Sequence, residues 1–283
     1  MKIAIASGKG GTGKTTVAAN LSYFLGQRGV QVSYFDCDVE EPNGHLFLQP
    51  QFSKHASAAI PVPVIDEAKC TACGECVRFC EFKALVRLGK TVMVFPELCH
   101  GCGGCTVLCP EKAITEQLRE IGTVESGSAG AAGFIHGRLR VGEAMSPPLI
   151  REVLKTALPQ ETVAVIDAPP GTTCPVIAAI RNADFVLLVT EPTPFGLNDL
   201  GLALDMVREL NLPHGVVINR DDRDTTAADR FCADRKVDLI GRIPDDRRIA
   251  ESYSRGEMIV SSVPGMEKLF SELWQTLLGK IVP

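Results

Sequence analysis

Two runs of cysteine with a single spacing divide this chain in a way few folds can accommodate. Cys70, Cys73, Cys76 and Cys80 read C-x2-C-x2-C-x3-C, and Cys99, Cys102, Cys105 and Cys109 repeat it, closing on Pro110. The two runs use eight of the 11 cysteines. Two-residue gaps let three sulfurs converge on one side of an inorganic centre, with the fourth thiolate arriving from further along the chain. Lys2 leads directly into Ile3-Ala4-Ile5-Ala6, too short for the core of an export signal and suited to a first strand. A cytoplasmic chain is therefore expected, and its cysteines point to metal rather than disulfides. Zinc competes for C-x2-C pairs, but the doubled spacing favours iron–sulfur clusters.

Around those runs, strand and helix patterns alternate. Lys2–Ala6, Val32–Phe35, Thr162–Ile166, Phe185–Val189 and Gly215–Ile218 read as buried strands. Lys14–Gln27, Gly196–Leu210, Thr225–Asp234 and Arg247–Ser254 carry helical spacing. This alternation predicts an α/β fold, a doubly wound, mostly parallel sheet whose ligands sit at the C-terminal strand ends. The rhythm fails from residue 64 to residue 118, which holds both cysteine runs and a hairpin-like piece, Leu85–Phe95. The expected division is a main domain of residues 1–63 and 119–283, with residues 64–118 inserted into it. The glycine- and serine-rich segment Gly122–Gly133 reads as a mobile connection or a binding loop. With 283 residues, 45% of them hydrophobic, the chain can bury a sizeable core. A net charge of −5 makes no electrostatic case for nucleic acid or an anionic membrane as the main partner.

Directly after the first strand, Gly8-Lys9-Gly10-Gly11-Thr12-Gly13-Lys14-Thr15 fits the pattern that cradles phosphates, with Thr16 next. Glycines let backbone N–H groups close around the anion, and the following helix N-terminus favours negative charge. Lys14 is expected to reach the outer phosphates, and Thr15 to hold Mg²⁺. Asp36 and Asp38 leave the second strand near the same point, and Asp167 ends the third. Asp167 reads as the acid held close to Mg²⁺, and Gly171 as a place where a backbone N–H approaches the terminal phosphate.

The doubled cysteine run resembles that of bacterial two-cluster ferredoxins, an α+β fold. In those, the fourth cysteine of each run ligates the other cluster. The resemblance assigns Cys70, Cys73, Cys76 and Cys109 to one [4Fe–4S] cluster, and Cys80, Cys99, Cys102 and Cys105 to a second. Glu81 stands where that pattern usually has proline. The segment KGGTGKTT resembles the deviant Walker A motif of the MinD and nitrogenase iron protein ATPases, which implies that Lys9 reaches a partner subunit's nucleotide. With the Asp36/Asp38 pair, the DAPPGTTC segment and the EPTPFG loop (Glu191–Gly196), nearly the whole chain resembles MinD/Mrp-like P-loop ATPases carrying an inserted ferredoxin domain. By that resemblance Asp38 positions or activates the attacking water, Asp36 lies nearer the metal shell, and Asn219, Arg220, Pro244 and Asp245 bind adenine.

The expected activity is an ATPase: ATP closes a homodimer, or a dimer with a related ATPase, and so gates electron transfer through the clusters to an unidentified redox partner. The alternative is an Mrp-type carrier that hands a cluster or metal to an apo-metalloprotein. Cys174, seven residues beyond Asp167, is its candidate anchor, although Glu125–Ala144 offers no second cysteine. A MinD-like positioning ATPase is a third class. The amphipathic segment Gly265–Lys280 lacks the basic face a membrane requires and is expected to pack on the sheet. Cys37 and Cys232 read as apolar filler. The five histidines show no ligand-like spacing, and His100, between Cys99 and Cys102, is expected to tune hydrogen bonding near a cluster.

Overall fold

The computed structural model describes residues 1–156, 162–222 and 226–281. In chain order, β1 (Lys2–Ala6), α1 (Lys14–Gln27), β2 (Val32–Asp36) and α2 (Gly44–Leu48) open the fold. A long strand β3 (Gln51–Ile65) leads into the cysteine segment, which holds α3 (Glu75–Phe79), β4 (Leu85–Leu88), β5 (Thr91–Val94) and α4 (Gly104–Leu108). The chain returns through β6 (Ile114–Ala129), β7 (Ala132–Leu139) and α5 (Pro147–Leu154). It continues with β8 (Val163–Asp167), α6 (Cys174–Ile180), β9 (Phe185–Thr190), α7 (Pro194–Glu209) and β10 (His214–Asp221). The remainder is α8 (Ala227–Asp234), β11 (Leu239–Pro244), α9 (Arg247–Ser254), α10 (Ile259–Ser262) and α11 (Met266–Ile281). Thr225, the first residue of one expected helix, lies outside the described residues.

One nine-stranded sheet runs β11-β10-β9-β1-β8-β2-β7-β6-β3. It is parallel from β11 to β7, while β6 and β3 join antiparallel. β1, β8 and β9 are buried almost throughout because helices cover both faces, which is why they read as unbroken apolar runs. One core gathers Ile150 and Val153 of α5, Val176 of α6 and Leu204 of α7. The other gathers Leu21 of α1 with Phe270, Leu273 and Leu277 of α11, so the C-terminal helix packs on the sheet as expected. Among the described residues no helix is long and apolar enough to cross a membrane.

Gly122–Gly133, expected as a loop, is instead the second half of β6 and its turn into β7. Its small residues serve strand packing rather than mobility. A Cβ on Gly122 would stand 2.3 Å from the Arg138 carbonyl oxygen, and one on Gly127 would stand 2.0 Å from that of Gln51. β3 escaped notice because Pro61 and Pro63 read as breakers, yet a sheet edge tolerates residues that cannot donate. Between β3 and β6, residues 66–113 form a lobe built on the β4–β5 hairpin. Its helices α3 and α4 have five residues each, too few to show helical periodicity in the sequence.

Gly127→Ala should part β3 from β6 at their outer end and cost about 1–3 kcal/mol. Gly279→Ala, on α11 with nothing within 4 Å of the added carbon, should instead gain about 0.5–1 kcal/mol. Chemical denaturation of the two variants checks the contrast.

Candidate functional site

The loop after β1 turns into α1 through Gly11 (φ 77°) and Gly13 (φ 94°), a conformation that L side chains rarely adopt. Gly13 is required twice over, since a Cβ there would meet Asn219 Nδ2 at 2.2 Å. That Asn219 amide donates to the Thr12 carbonyl at 2.8 Å, so the end of β10 braces the loop from behind. Gly8 admits the close approach of α7, where a Cβ would stand 2.1 Å from the Asp199 carbonyl oxygen.

A cleft of about 400 Å³ opens beside this loop. Gly10, Gly11, Gly13, Lys14, Thr15 and Thr16 line it on one side, and Asn219, Arg220, Pro244 and Asp245 on another. The four residues expected to read the base thus face the same cavity as the phosphate loop. Sequence reasoning missed Glu41, Asn43 and the α9 residues Ile249, Ala250 and Tyr253, which complete the wall. The α9 set was legible in principle, because positions i, i+1 and i+4 share one helix face.

Asp36 and Asp167 are register partners on β2 and β8, both fully buried. Burial raises both carboxyls above the usual range, and each charge opposes the other at Asp36. Tyr34 donates its hydroxyl to Asp167 Oδ2 at 2.8 Å, and Thr15 and Lys14 also favour the ionised form. Asp167 Oδ1 is buried with no hydrogen-bond partner, an acceptor of the kind a hydrated Mg²⁺ would satisfy beside Thr15. Asp36 accepts from the N–H groups of Asp38 (3.2 Å) and Gly44 (2.9 Å), fixing the turn that carries Asp38. Burial and the Asp167 charge push Asp38 up to about 6 against the pull of Lys14. Lys14 itself is held below its usual value by burial.

Two expectations take a different form. Gly171 (φ 98°) donates its N–H to the Ser7 carbonyl at 3.1 Å instead of facing the cleft, because the Pro169-Pro170-Gly171 turn folds back onto β1. Lys9 is absent from the cleft wall, and its Nζ lies 3.7 Å from Glu191 Oε2, a carboxylate also paired with Arg220.

In the lobe, the cysteine repeat is also a repeat of backbone. Left-handed residues fall at Ala72 and Gly101, Gly74 and Gly103, and Lys83 and Lys112, the same offset that relates Cys70 to Cys99. Gly74 and Gly103 of such a pair immediately precede α3 and α4 as their N-caps. The eight cysteines then separate into two sets. Cys70, Cys73, Cys76 and Cys109 line a narrow slot of about 20 Å³. Cys80, Cys99, Cys102 and Cys105 line a cavity of about 270 Å³. Backbone N–H groups approach two of the sulfurs, Gly101 to Cys99 Sγ at 3.4 Å and Ala113 to Cys109 Sγ at 3.3 Å. The His100 ring stacks on Phe82 with centroids 3.4 Å apart. Among the described residues no three His, Cys, Asp or Glu side chains converge as for a single metal ion.

The second cavity is the inner one. Cys99 packs into the core shared with α5, with Cys80 against it, whereas Cys76 belongs to a small satellite cluster with Leu85 and Val92 against which Cys70, Cys80, Cys105 and Cys109 also pack. Cys174 opens α6 and is exposed, while Cys37 and Cys232 are buried.

The sequence also gave no hint that three histidines meet. His136 Nε2 lies 2.8 Å from Glu125 Oε2, and His55 Nδ1 lies 3.1 Å from Glu125 Oε1. His45 packs edge-on to His136 with centroids 5.8 Å apart. His136 is fully buried, and its Nδ1 has no partner.

Asp38→Asn gives a stability test of this electrostatic arrangement. The Asp38 carboxyl is raised in the folded protein, so its ionisation costs stability above about pH 6 and nothing below about pH 4. Two pKa units correspond to about 3 kcal/mol, and partial exposure discounts this to about 1–2 kcal/mol. With chelator and no nucleotide, Asp38→Asn should be more stable than the wild type at pH 7.5, with the gain fading as pH falls to 4. Urea unfolding across that range measures it.

Comparison with known proteins gives a consistent picture. The model of the CobQ/CobB/MinD/ParA nucleotide-binding domain family matches residues 3–260. An uncharacterized protein of Methanocaldococcus jannaschii is 33% identical over 265 residues, covering 91% of this chain and 90% of that one. An iron-sulfur cluster carrier protein of Pyrococcus horikoshii is 23% identical over 316 residues, covering 99% of this chain and 86% of that protein. The septum site-determining protein MinD of Pyrococcus horikoshii, solved with Mg-ADP, superposes with a TM-score of 0.62 at 21% identity, covering 98% and 95% of the two chains.

Proposed function

As a member of the CobQ/CobB/MinD/ParA nucleotide-binding family, the chain is a P-loop ATPase, and we propose that nucleotide-driven dimer closure gates electron transfer through two [4Fe–4S] clusters in a ferredoxin-like domain of residues 64–118. One observation carries the redox half of this reading. Two cavities are each lined by four cysteines, in the crosswise sets that two cubanes require. Four thiolates suit a cluster, so Cys70, Cys73, Cys76 and Cys109 would hold one and Cys80, Cys99, Cys102 and Cys105 the other. Bound clusters supply one-electron storage.

The chain's own residues account for the other half. Lys14 and the backbone of Gly10 to Thr16 hold the phosphates, with Gly8 setting the loop against α7. Thr15 and Asp167 hold Mg²⁺, and Asp36 fixes the turn that presents Asp38. A carboxylate raised to about 6 is mostly ionised at neutral pH yet basic enough to take a proton from an attacking water. Lys9 leaves Glu191 to reach the nucleotide of the second subunit, where its charge stabilises the leaving phosphates. The base lies against Asn219, Arg220, Pro244 and Asp245. Closure reaches the clusters through β2, which pairs with β7, while β7 pairs with β6 of the arm that carries the lobe.

The test is anaerobic. Reduced protein is followed by EPR and by its reoxidation rate with ATP, ADP or no nucleotide. The expected outcome is a nucleotide-dependent change in rate of several-fold, lost in Lys14→Ala and Asp38→Ala while both cluster signals remain. Identical behaviour in all three nucleotide states would sink the gating reading.

A second reading, cluster delivery to an apo-metalloprotein, draws on the exposure of Cys174 beyond the Asp167 loop. It predicts that iron transfer to an apo-ferredoxin falls at least tenfold in Cys174→Ser with the eight lobe cysteines still occupied. Unchanged transfer rejects it.

A further inference from the structure

We propose that Glu191 and Arg220 are positioning residues for Lys9: Glu191 keeps it within its own chain, and Arg220 lets it leave for the second subunit. The inference rests on the reading above, in which Lys9 serves the nucleotide across the dimer. β10, β9 and β1 are neighbours in the sheet, so Arg220, Glu191 and Lys9 come together near three adjacent strand ends. The carboxylate stands between the two cations and divides its oxygens. Arg220 donates to Oε1, and Lys9 Nζ lies 3.7 Å from Oε2. Glu191 is the fixed member of the three. The Thr190 hydroxyl donates to the Gly196 carbonyl at 2.8 Å, and a Cβ on Gly196 would stand 2.5 Å from the Glu191 carbonyl oxygen. The start of α7 therefore clamps its backbone. Arg220 reaches it from an irregular stretch of strand. The register of β10 on β11 slips between Ile218 and Asp221, and Arg220 lies in that slip at φ 53°, the kind of defect that re-aims a side chain.

The two contacts differ in kind. Arg220 is hydrogen-bonded to the carboxylate, whereas the lysine contact is too long for a hydrogen bond and holds by charge alone. The Glu191 side chain is only 12% exposed, so its charge is costly to leave without a cation. With Arg220 in place, Lys9 departs and the carboxylate keeps a partner. Without Arg220, the same departure leaves a nearly dry carboxylate with neither cation, and Lys9 is held more firmly. Glu191 thus opposes the transfer of Lys9, and Arg220 eases it.

Opposite signs for two residues that touch each other separate this role from plain structural support, which would weaken in the same direction on losing either. A partly exposed ion pair shifts an equilibrium by a factor of about 2–5, and a symmetric dimer engages two copies of Lys9, so the dimerisation constant moves by about 4–25-fold.

The experiment is sedimentation velocity of the full-length holoprotein over a range of protein concentrations, with Mg²⁺ and a saturating non-hydrolysable ATP analogue. Glu191→Gln should dimerise at a concentration lower by about 4–25-fold. Arg220→Gln should require a higher concentration than the wild type, and Arg220→Lys should stay near it. Arg220 also lines the nucleotide cleft, so the double variant decides how it acts. Glu191→Gln with Arg220→Gln should behave as Glu191→Gln alone. In a Lys9→Ala background, Glu191→Gln should change nothing. The Arg220 side chain is 60% exposed, so its variants fold and answer the question even where Glu191→Gln does not. The inference is overturned if Glu191→Gln leaves the midpoint in place or raises it, if Arg220→Gln lowers it, or if the double variant is weaker than Glu191→Gln. It is equally overturned if Glu191→Gln acts by the same factor without Lys9. Those results leave the role of Lys9 across the dimer intact. A Lys9→Ala protein that dimerises like the wild type, or a wild type that stays monomeric with nucleotide, overturns both.

Discussion

Two carboxylates sit side by side inside the sheet, and the architecture around them answers the cost of that. Asp36 and Asp167 are register partners on adjacent strands, each out of reach of water. Two buried like charges cannot both persist without compensation, and each raises the other's tendency to hold a proton. The fold compensates with fixed donors: Tyr34 to Asp167, and the Gly44 and Asp38 amides to Asp36. Lys14 supplies a charge at the cost of being partly desolvated itself. The compensation remains incomplete, because Asp167 Oδ1 is unpaired. A divalent cation held there would satisfy that oxygen and relieve the repulsion together. Under the proposed reading, nucleotide binding with Mg²⁺ would change the charge balance at the residues that define the turn after β2.

A second constraint fixes where the metal chemistry of the proposed reading happens. β3 and β6 are far longer than the central strands, at 15 and 16 residues against five for β1. Their extra length carries the lobe away from the sheet without breaking the ladder, since pairing continues to Ile65 and Ile114. The lobe is thus cantilevered on a two-stranded ribbon, and one of its two cysteine sites shares the main core. Cys99 and Ala84 pack in the same cluster as Leu149 and Val153 of α5. A site built partly from the ATPase core cannot be indifferent to how that core is arranged.

Sequence reading reached the parts of this molecule where local chemistry dictates conformation. Gly11 and Gly13 announce the phosphate loop because few residues tolerate its backbone, and the two cysteine runs announce paired sites because their spacing repeats. It failed where tertiary contacts decide. β3 reads as broken at Pro61 and Pro63, yet lies at an edge where no donor is needed. Gly122 and Gly127 read as flexible, yet are there because neighbouring carbonyls leave no room for a side chain. Nothing local to Lys9 reveals that Glu191, on a distant strand end, lies 3.7 Å from it within one chain. Glu125 with His45, His55 and His136 shows the limit most plainly, for His55, Glu125 and His136 meet only through the β3–β6–β7 register and His45 reaches them from α2.

That histidine cluster also bears on how the two halves of the molecule communicate. His45 follows Gly44, whose N–H is held by Asp36, so it moves with the turn that presents Asp38. His136 is the register partner of Asp36 on β7. Glu125 and His55 stand on the two strands of the ribbon that carries the lobe. Burial keeps His136 and His45 below the ordinary imidazole range, which leaves them neutral at pH 7. His136 then donates from Nε2 to Glu125, and its bare Nδ1 faces a dry interior with no donor to meet it. A buried acceptor left unpaired costs about 1–3 kcal/mol, so the arrangement is held by what surrounds it and is sensitive to small displacements. The Asp36–Gly44 turn, His45, His136 and Glu125 thus form one chain of contacts that ends on the ribbon. Under the proposed reading, these contacts would link the Asp36–Gly44 turn to the ribbon that carries the lobe.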